Sequence, residues 1–135
     1  MGKSKRTHRG SCHCGAVRFE CDLDLAEGTS RCNCSFCTKA RFWKAFVPAE
    51  AFRLVAGGGD LTEYRFGDGR VGHLSCRRCG VKPFGRVQVE GPVVYAVNVA
   101  ALDDVTPEEL ARAPVRFEDG RNDRWEQAPA ETRYL

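Results

Sequence analysis

Cysteine is the residue type in this sequence whose spacing most directly implies chemistry. Cys32-Asn33-Cys34-Ser35-Phe36-Cys37 places three thiols within six residues, Cys12 and Cys14 form a second close group, Cys76 and Cys79 a third, and Cys21 stands alone. Thiols at such separations can converge on one soft cation. Zinc is the expected ion, because thiolate-rich sites suit it and it brings no redox demand. The two pairs together supply four sulfurs, the full complement of a closed structural site. The triplet supplies three and leaves one position of a tetrahedral ion for water or substrate, which is how reactive metals are held. Cys12, Cys14, Cys76 and Cys79 are therefore expected to hold a structural zinc. Cys32, Cys34 and Cys37 are expected to hold a second zinc and to carry the catalysis, giving two zinc ions per chain. On spacing alone His13, Cys21 or His73 could instead complete the triplet and make it a second closed site. Against that, His13 lies between two expected ligands and should point away from their ion, and His73 reads as an ordinary strand residue.

Metal rather than disulfide is expected from compartment. Nothing before Cys12 has the apolar run of a signal peptide, and no later stretch approaches the roughly 20 apolar residues of a membrane span. A cytoplasmic protein with no membrane association is the expectation, and in a reducing compartment close thiols serve metals.

The elements that must position these thiols read as short strands. The chain has 135 residues, 42% of them hydrophobic, with 14 glycines and a single methionine. That length suits one domain, and that composition favours strands and turns over long helices. Residues 1–9 carry Lys3, Lys5, Arg6 and Arg9 and read as a disordered basic tail; residues 10–135 read as the zinc-binding domain. In Ala16 to Asp22 apolar and polar residues alternate, so Val17, Phe19 and Cys21 share a face and Cys21 is a core residue rather than a ligand. Strands are also expected over 42–47, 53–56, 61–66, 71–75, 84–89 and 93–99, separated by Gly57-Gly58-Gly59, Gly67-Asp68-Gly69 and Glu90-Gly91-Pro92. Thr106-Pro107-Glu108-Glu109 combines an N-cap, a proline at the first helical position and a glutamate at the third, which predicts one short peripheral helix over 107–112. Trp125 and Tyr134 are expected to pin the C-terminus over the core. A nucleic-acid binder of zinc-ribbon type would use Arg77-Arg78 and the N-terminal basic residues; the mild net charge of +3 and the lack of a dense basic stripe argue against it, and a salt-dependent shift with DNA or RNA would favour it.

The runs Gly10 to Phe19, Cys32 to Cys37, Phe52-Arg53-Leu54 to Tyr64-Arg65-Phe66, Cys76-Arg77-Arg78-Cys79-Gly80 and Asn98 to Asp103 resemble the glutathione-dependent formaldehyde-activating enzyme family. The resemblance covers roughly residues 10–104, with a weaker echo at Arg124-Trp125. It implies a mainly β, single β-tent domain of short antiparallel sheets organised around zinc, a fold shared with centromere protein V and with a small zinc factor acting on Rab GTPases. It also implies a structural zinc on Cys12, Cys14, Cys76 and Cys79 and a second zinc on Cys32, Cys34 and Cys37. The implied activity is that of a carbon-sulfur lyase combining glutathione, or a related thiol, with formaldehyde or another small aldehyde.

A thiol beside a bound cation ionises more readily, and the thiolate is the nucleophile toward an aldehyde carbon. Three thiolates leave such a site with excess negative charge, so Lys39, Arg41, Lys44, Arg77, Arg78 and Arg86 are candidates to offset it or to hold carboxylates. Phe36 and Trp43 are candidates for a pocket wall. Asp60, Glu63 and Tyr64 lie in the right region of sequence for an acid, but none is singled out. The alternative function is a non-catalytic, zinc-stabilised module that binds a protein partner.

Overall fold

Short apolar-polar runs punctuated by glycine turns give ten strands: β1 (Arg6–Ser11), β2 (Arg18–Leu23), β3 (Thr29–Cys32), β4 (Trp43–Pro48), β5 (Phe52–Ala56), β6 (Leu61–Tyr64), β7 (Val71–Cys76), β8 (Phe84–Val87), β9 (Val94–Asn98) and β10 (Val115–Glu118). Two helices of six residues, α1 (Ser35–Ala40) and α2 (Pro107–Arg112), join them. In the computed structural model, which describes residues 5–135, the strands form two sheets. The smaller is antiparallel, in the order β1-β2-β5; the larger runs β10-β3-β4-β9-β8-β7-β6 and is antiparallel except for the parallel edge pair β10 and β3. The fold is mainly β, as expected.

The core lies where the inner faces of the sheets meet. Alternation in β2 turns Phe19, Cys21 and Leu23 inward. Phe19 stacks on Phe52 of β5 at 5.5 Å, and Phe52 packs on Phe84 of β8 and Tyr95 of β9 at 4.6 and 4.2 Å. Offset aromatic contacts of this kind contribute beyond the area they bury. Cys21 is fully buried among them, and burial pushes its thiol up to about 12, so it is a small apolar core residue.

Trp125 and Tyr134, each nearly half exposed, do not pin the C-terminus over the core, and three elements differ from the sequence expectation. Residues 6–9 are not a tail, because β1 starts at Arg6 and pairs along its length with β2; residues 1–4 lie outside the described residues. The acidic loop at Asp104 accounts for this: Arg6 donates to the Asp104 carbonyl at 2.7 Å, the Arg9 N–H to its carboxylate at 2.9 Å, and the buried His8 ring lies 3.1 Å from it. Basic residues that read as a solvated start are thus the partners of a carboxylate ninety-odd positions away. Second, the polar segment 29–32 is a strand, held between β10 and β4. Third, a helix follows Cys34. The helix expected over 107–112 forms with its capping box, the Thr106 hydroxyl accepting from the Glu109 N–H at 3.1 Å and the Glu109 carboxylate from the Thr106 N–H at 2.9 Å.

Candidate metal centres and the adjoining cavity

Cys12 follows β1, Cys14 lies in the turn into β2, Cys76 ends β7, and Cys79 sits in a tight turn closed by Gly80 at φ +83°. This arrangement ties the small sheet to the large one. The four sulfurs lie within 4.8 Å of one another, and Cys14 is 3.7 Å from both Cys12 and Cys76. Backbone N–H groups of Val17 and Arg78 donate to the Cys12 and Cys76 sulfurs, each at 3.3 Å, and the Val81 N–H leads the contacts that draw the Cys79 thiol down to about 6. Converging sulfurs that already accept N–H bonds are suited to the thiolate form a metal requires. Arg77 and Arg78 both turn to Asp60, at 3.1 and 3.0 Å, and serve the rim of this closed cluster.

The triplet is assembled by the joint between β3 and α1. Cys32 ends the strand, Cys34 is the N-cap of α1 and accepts from the Cys37 N–H at 3.3 Å, and the Cys34 N–H donates to Cys32 at 3.3 Å. Their three sulfurs also lie within 4.8 Å of one another. Hydrogen bonding from the Cys32 and then the Cys37 thiol pulls Cys34 far below the ordinary thiol range, while Cys37 is held above it by sharing with Cys32 and Cys34. Neither His13, which is exposed, nor Cys21 nor His73 joins the cluster. Both groups are suited by donor chemistry to a thiophilic metal, one with four protein sulfurs and the other with three.

The C-terminal segment locks the triplet loop. The Asn33 amide donates to Asp119 at 2.8 Å and accepts from the Arg121 N–H at 2.9 Å, and Arg121 also reaches the Asn33 carbonyl at 3.1 Å. Between these contacts sits Gly120, where an added Cβ would meet the Cys32 sulfur and the Trp125 ring, each at 2.6 Å. Gly120→Ala is expected to lower metal affinity at the triplet by at least tenfold while leaving the four-cysteine centre intact; competition with a chromophoric chelator reads the two affinities separately.

A cavity of about 600 Å³ opens beside Cys34 and Cys37, within the range of small-ligand sites. Lys44, Lys82, His73 and Glu118 also line it, with Phe42, Phe66 and Trp125 among its apolar walls. Lys44 is buried and bonded to Glu118 at 2.8 Å, and Arg116 reaches the same carboxylate at 3.1 Å. The Lys82 ammonium lies 3.7 Å from the centre of the Phe42 ring and 2.7 Å from His73 Nδ1, to which it donates. Burial draws Lys82 down to about 8. His73, stacked under Phe36 at 3.8 Å, is held down at about 4 by burial and then by the Lys82 charge.

Because His73 takes up a proton less readily when folded, its contribution to stability is complete above the unfolded value near 6.5 and is lost as pH falls toward 4. His73→Gln is expected to flatten that part of the stability-pH curve, by up to about 3 kcal/mol across the window. Denaturant titrations of the two proteins at pH 4 and pH 7 measure the difference.

The other candidates are distributed as follows. Phe36 packs over His73, and Lys44 lines the cavity. Trp43 packs on the core and donates to Thr29 at 2.7 Å. Lys39 is exposed, Arg41 donates to the Tyr134 carbonyl at 2.9 Å, and Arg86 lies over Tyr95. Asp60 is taken by Arg77 and Arg78, Glu63 pairs with Arg65, and Tyr64 is exposed beside Phe36. Lys82 and Glu118 have no motif to mark them. An isolated lysine three residues after Cys79, directly before Pro83 and Phe84 in an otherwise apolar run, is the one signal that could have drawn notice.

The family model described as glutathione-dependent formaldehyde-activating enzyme matches residues 7–118. Among solved structures, the chain is similar to a Rhodobacter sphaeroides protein studied as a structural genomics target, at 37% identity and a TM-score of 0.69, over 79% of this chain and 98% of that one. No helix among the described residues is long and apolar enough to cross a membrane.

Proposed function

The chain belongs to the glutathione-dependent formaldehyde-activating enzyme family, and from that premise we propose that it joins a thiol to a small aldehyde at the triplet. Glutathione and formaldehyde are the pair the family description names. The observation that carries the proposal is the contrast between two cysteine clusters in one chain, one with four converging sulfurs and one with three beside a cavity.

Cys32, Cys34 and Cys37 would hold zinc, and Cys12, Cys14, Cys76 and Cys79 a structural zinc. Bound at the triplet, the ion supplies the positive charge that favours the thiolate form of an incoming thiol. The protein's own groups do the rest. The N–H bonds to Cys32 and Cys34 fix the orientation of their sulfurs, and the Asn33 contacts hold the loop that carries them. Phe42 and the neighbouring apolar walls exclude water, which strengthens charge interactions inside. The Lys82 ammonium faces this space, where it offsets the surplus negative charge of three thiolates and stabilises oxygen-centred charge developing on a carbonyl. In the reaction the S–C bond forms, the carbonyl π bond opens to oxygen, and that oxygen takes a proton in place of the one the thiol gave up.

The test is the rate of hemithioacetal formation from glutathione and formaldehyde, followed by exchange NMR. Metal-loaded protein should accelerate it over buffer, and Cys34→Ser should return it to the buffer rate. No acceleration by the loaded protein would remove the catalytic reading.

A further inference from the structure

A second cavity, of about 410 Å³, adjoins the one beside the triplet, and Lys44 and Phe46 line both. Strand register sets its distance from the cysteines. Arg116 of β10, Ser30 of β3 and Lys44 of β4 stand opposite one another in one row across the large sheet, and Glu118 and Cys32 stand opposite each other two residues further on. Side chains two residues apart on a strand share a face and lie about 7 Å from each other, a distance that a peptide arm of two residues spans. Ser30, in the wall of the second cavity, is thus one such step from Cys32. Charges of both signs line this cavity, and two of them are already matched. Asp24 is buried and accepts from the Ala26 N–H at 2.9 Å, and Lys44 is bonded to Glu118 at 2.8 Å. The other two are not. Arg116, two-thirds exposed, gives one terminal nitrogen to Glu118 at 3.1 Å, and the rest of its guanidinium has no partner among the described residues. Glu27 is exposed and makes no ion pair among the described residues. Between them lies Ser30, 2% exposed, whose hydroxyl has no hydrogen-bond partner. A buried hydroxyl in that state calls for a partner from outside the chain.

We propose that the second cavity holds the amino-acid end of the peptide thiol whose sulfur enters the triplet, its carboxylate on Arg116 and the Ser30 hydroxyl and its ammonium on Glu27. The inference rests on the thiol-addition reading above and assigns the residues that hold the arm remote from the sulfur. An α-amino-acid terminus carries both charges on one carbon, as this lining offers both, and a guanidinium fork suits a carboxylate. In glutathione the γ-glutamyl residue is that terminus. The glycyl end bears a carboxylate alone and has nothing to set against Glu27.

Glutathione, γ-glutamylcysteine, cysteinylglycine and 2-mercaptoethanol, titrated separately into cobalt-loaded full-length protein, test it through the thiolate-to-cobalt absorption band, which reports the metal's ligands without requiring turnover. γ-Glutamylcysteine should bind about as tightly as glutathione, and the two thiols without a γ-glutamyl arm about tenfold or more weakly. Arg116→Gln should weaken glutathione by about tenfold, and Ser30→Ala and Glu27→Gln by about threefold each. All three variants should bind 2-mercaptoethanol as the parent chain does, which shows the fold and the metal intact. Cysteinylglycine binding as tightly as γ-glutamylcysteine, glutathione affinity unmoved by Arg116→Gln, or an equal loss for 2-mercaptoethanol would each overturn the inference and leave the open coordination position standing. A cobalt spectrum that no thiol alters would overturn the inference together with the reading beneath it.

Discussion

Cys76→Ser is expected to abolish the folded state at ordinary temperature. Cys76 is 1% exposed and, with Cys12 and Val17, forms the small cluster under the four-cysteine centre. That centre joins β7 of the large sheet to the turn between β1 and β2 of the small one, closing a loop of some sixty residues through Cys14 and Cys76. The chain entropy of such a closure has to be met by the cluster itself. Structural zinc in thiolate sites supplies about 10 kcal/mol or more of apparent binding energy at neutral pH, comparable with the whole stability of a domain this size. A serine hydroxyl cannot replace that ligand, so the sheets should lose their register. Near-ultraviolet circular dichroism and a thermal scan, which should show no cooperative transition, check the outcome.

Cys34→Ser should do the opposite: leave a folded chain and remove the chemistry. Cys34 caps a six-residue helix and packs in a small cluster with Cys32, Cys37, Phe42 and Ala96, separate from the main core of Phe19, Phe52 and Phe84. Serine is a strong N-cap, so the bond that Cys34 accepts from the Cys37 N–H survives in kind and α1 keeps its start. The expected loss of stability is about 1 kcal/mol. Metal content should fall to about one ion per chain, since two sulfurs make a poor site, and aldehyde-thiol addition should fall to the buffer rate. Elemental analysis beside a thermal scan separates this variant from Cys76→Ser. If both substitutions unfold the chain alike, the division of labour between the clusters is wrong.

Those two substitutions rest on what spacing alone could reveal. The alternation of Val17, Phe19 and Cys21 placed the eighth cysteine in the core, and the turns and capping box located most strands and α2, because these signals are local. The triplet and each pair stay together in space as they do in sequence, and the two pairs meet in one four-sulfur group although some sixty positions separate them, as the count of ligands required. What was not legible depends on distant partners. β1 forms because Arg6, His8 and Arg9 meet Asp104, and β3 because β10 and β4 flank it, and no local pattern in either segment announces this. α1 lacks the periodicity a long helix would show; its start is set by a thiol acting as a cap, which reads in sequence only as a ligand. Lys82 and Glu118 matter for their position in a cavity, where burial changes what a charge is worth, and burial is a property of the folded chain.

The central claim is that one cluster is closed and the other takes a ligand from outside the protein. Cadmium-113 NMR of the cadmium-loaded chain tests it most directly, since the resonance of each ion reports its own set of ligands. Two resonances are predicted, one unmoved by added thiol and one that shifts toward the first as a fourth sulfur joins the triplet. Two resonances that both ignore added glutathione, or a single resonance for the whole chain, would contradict it.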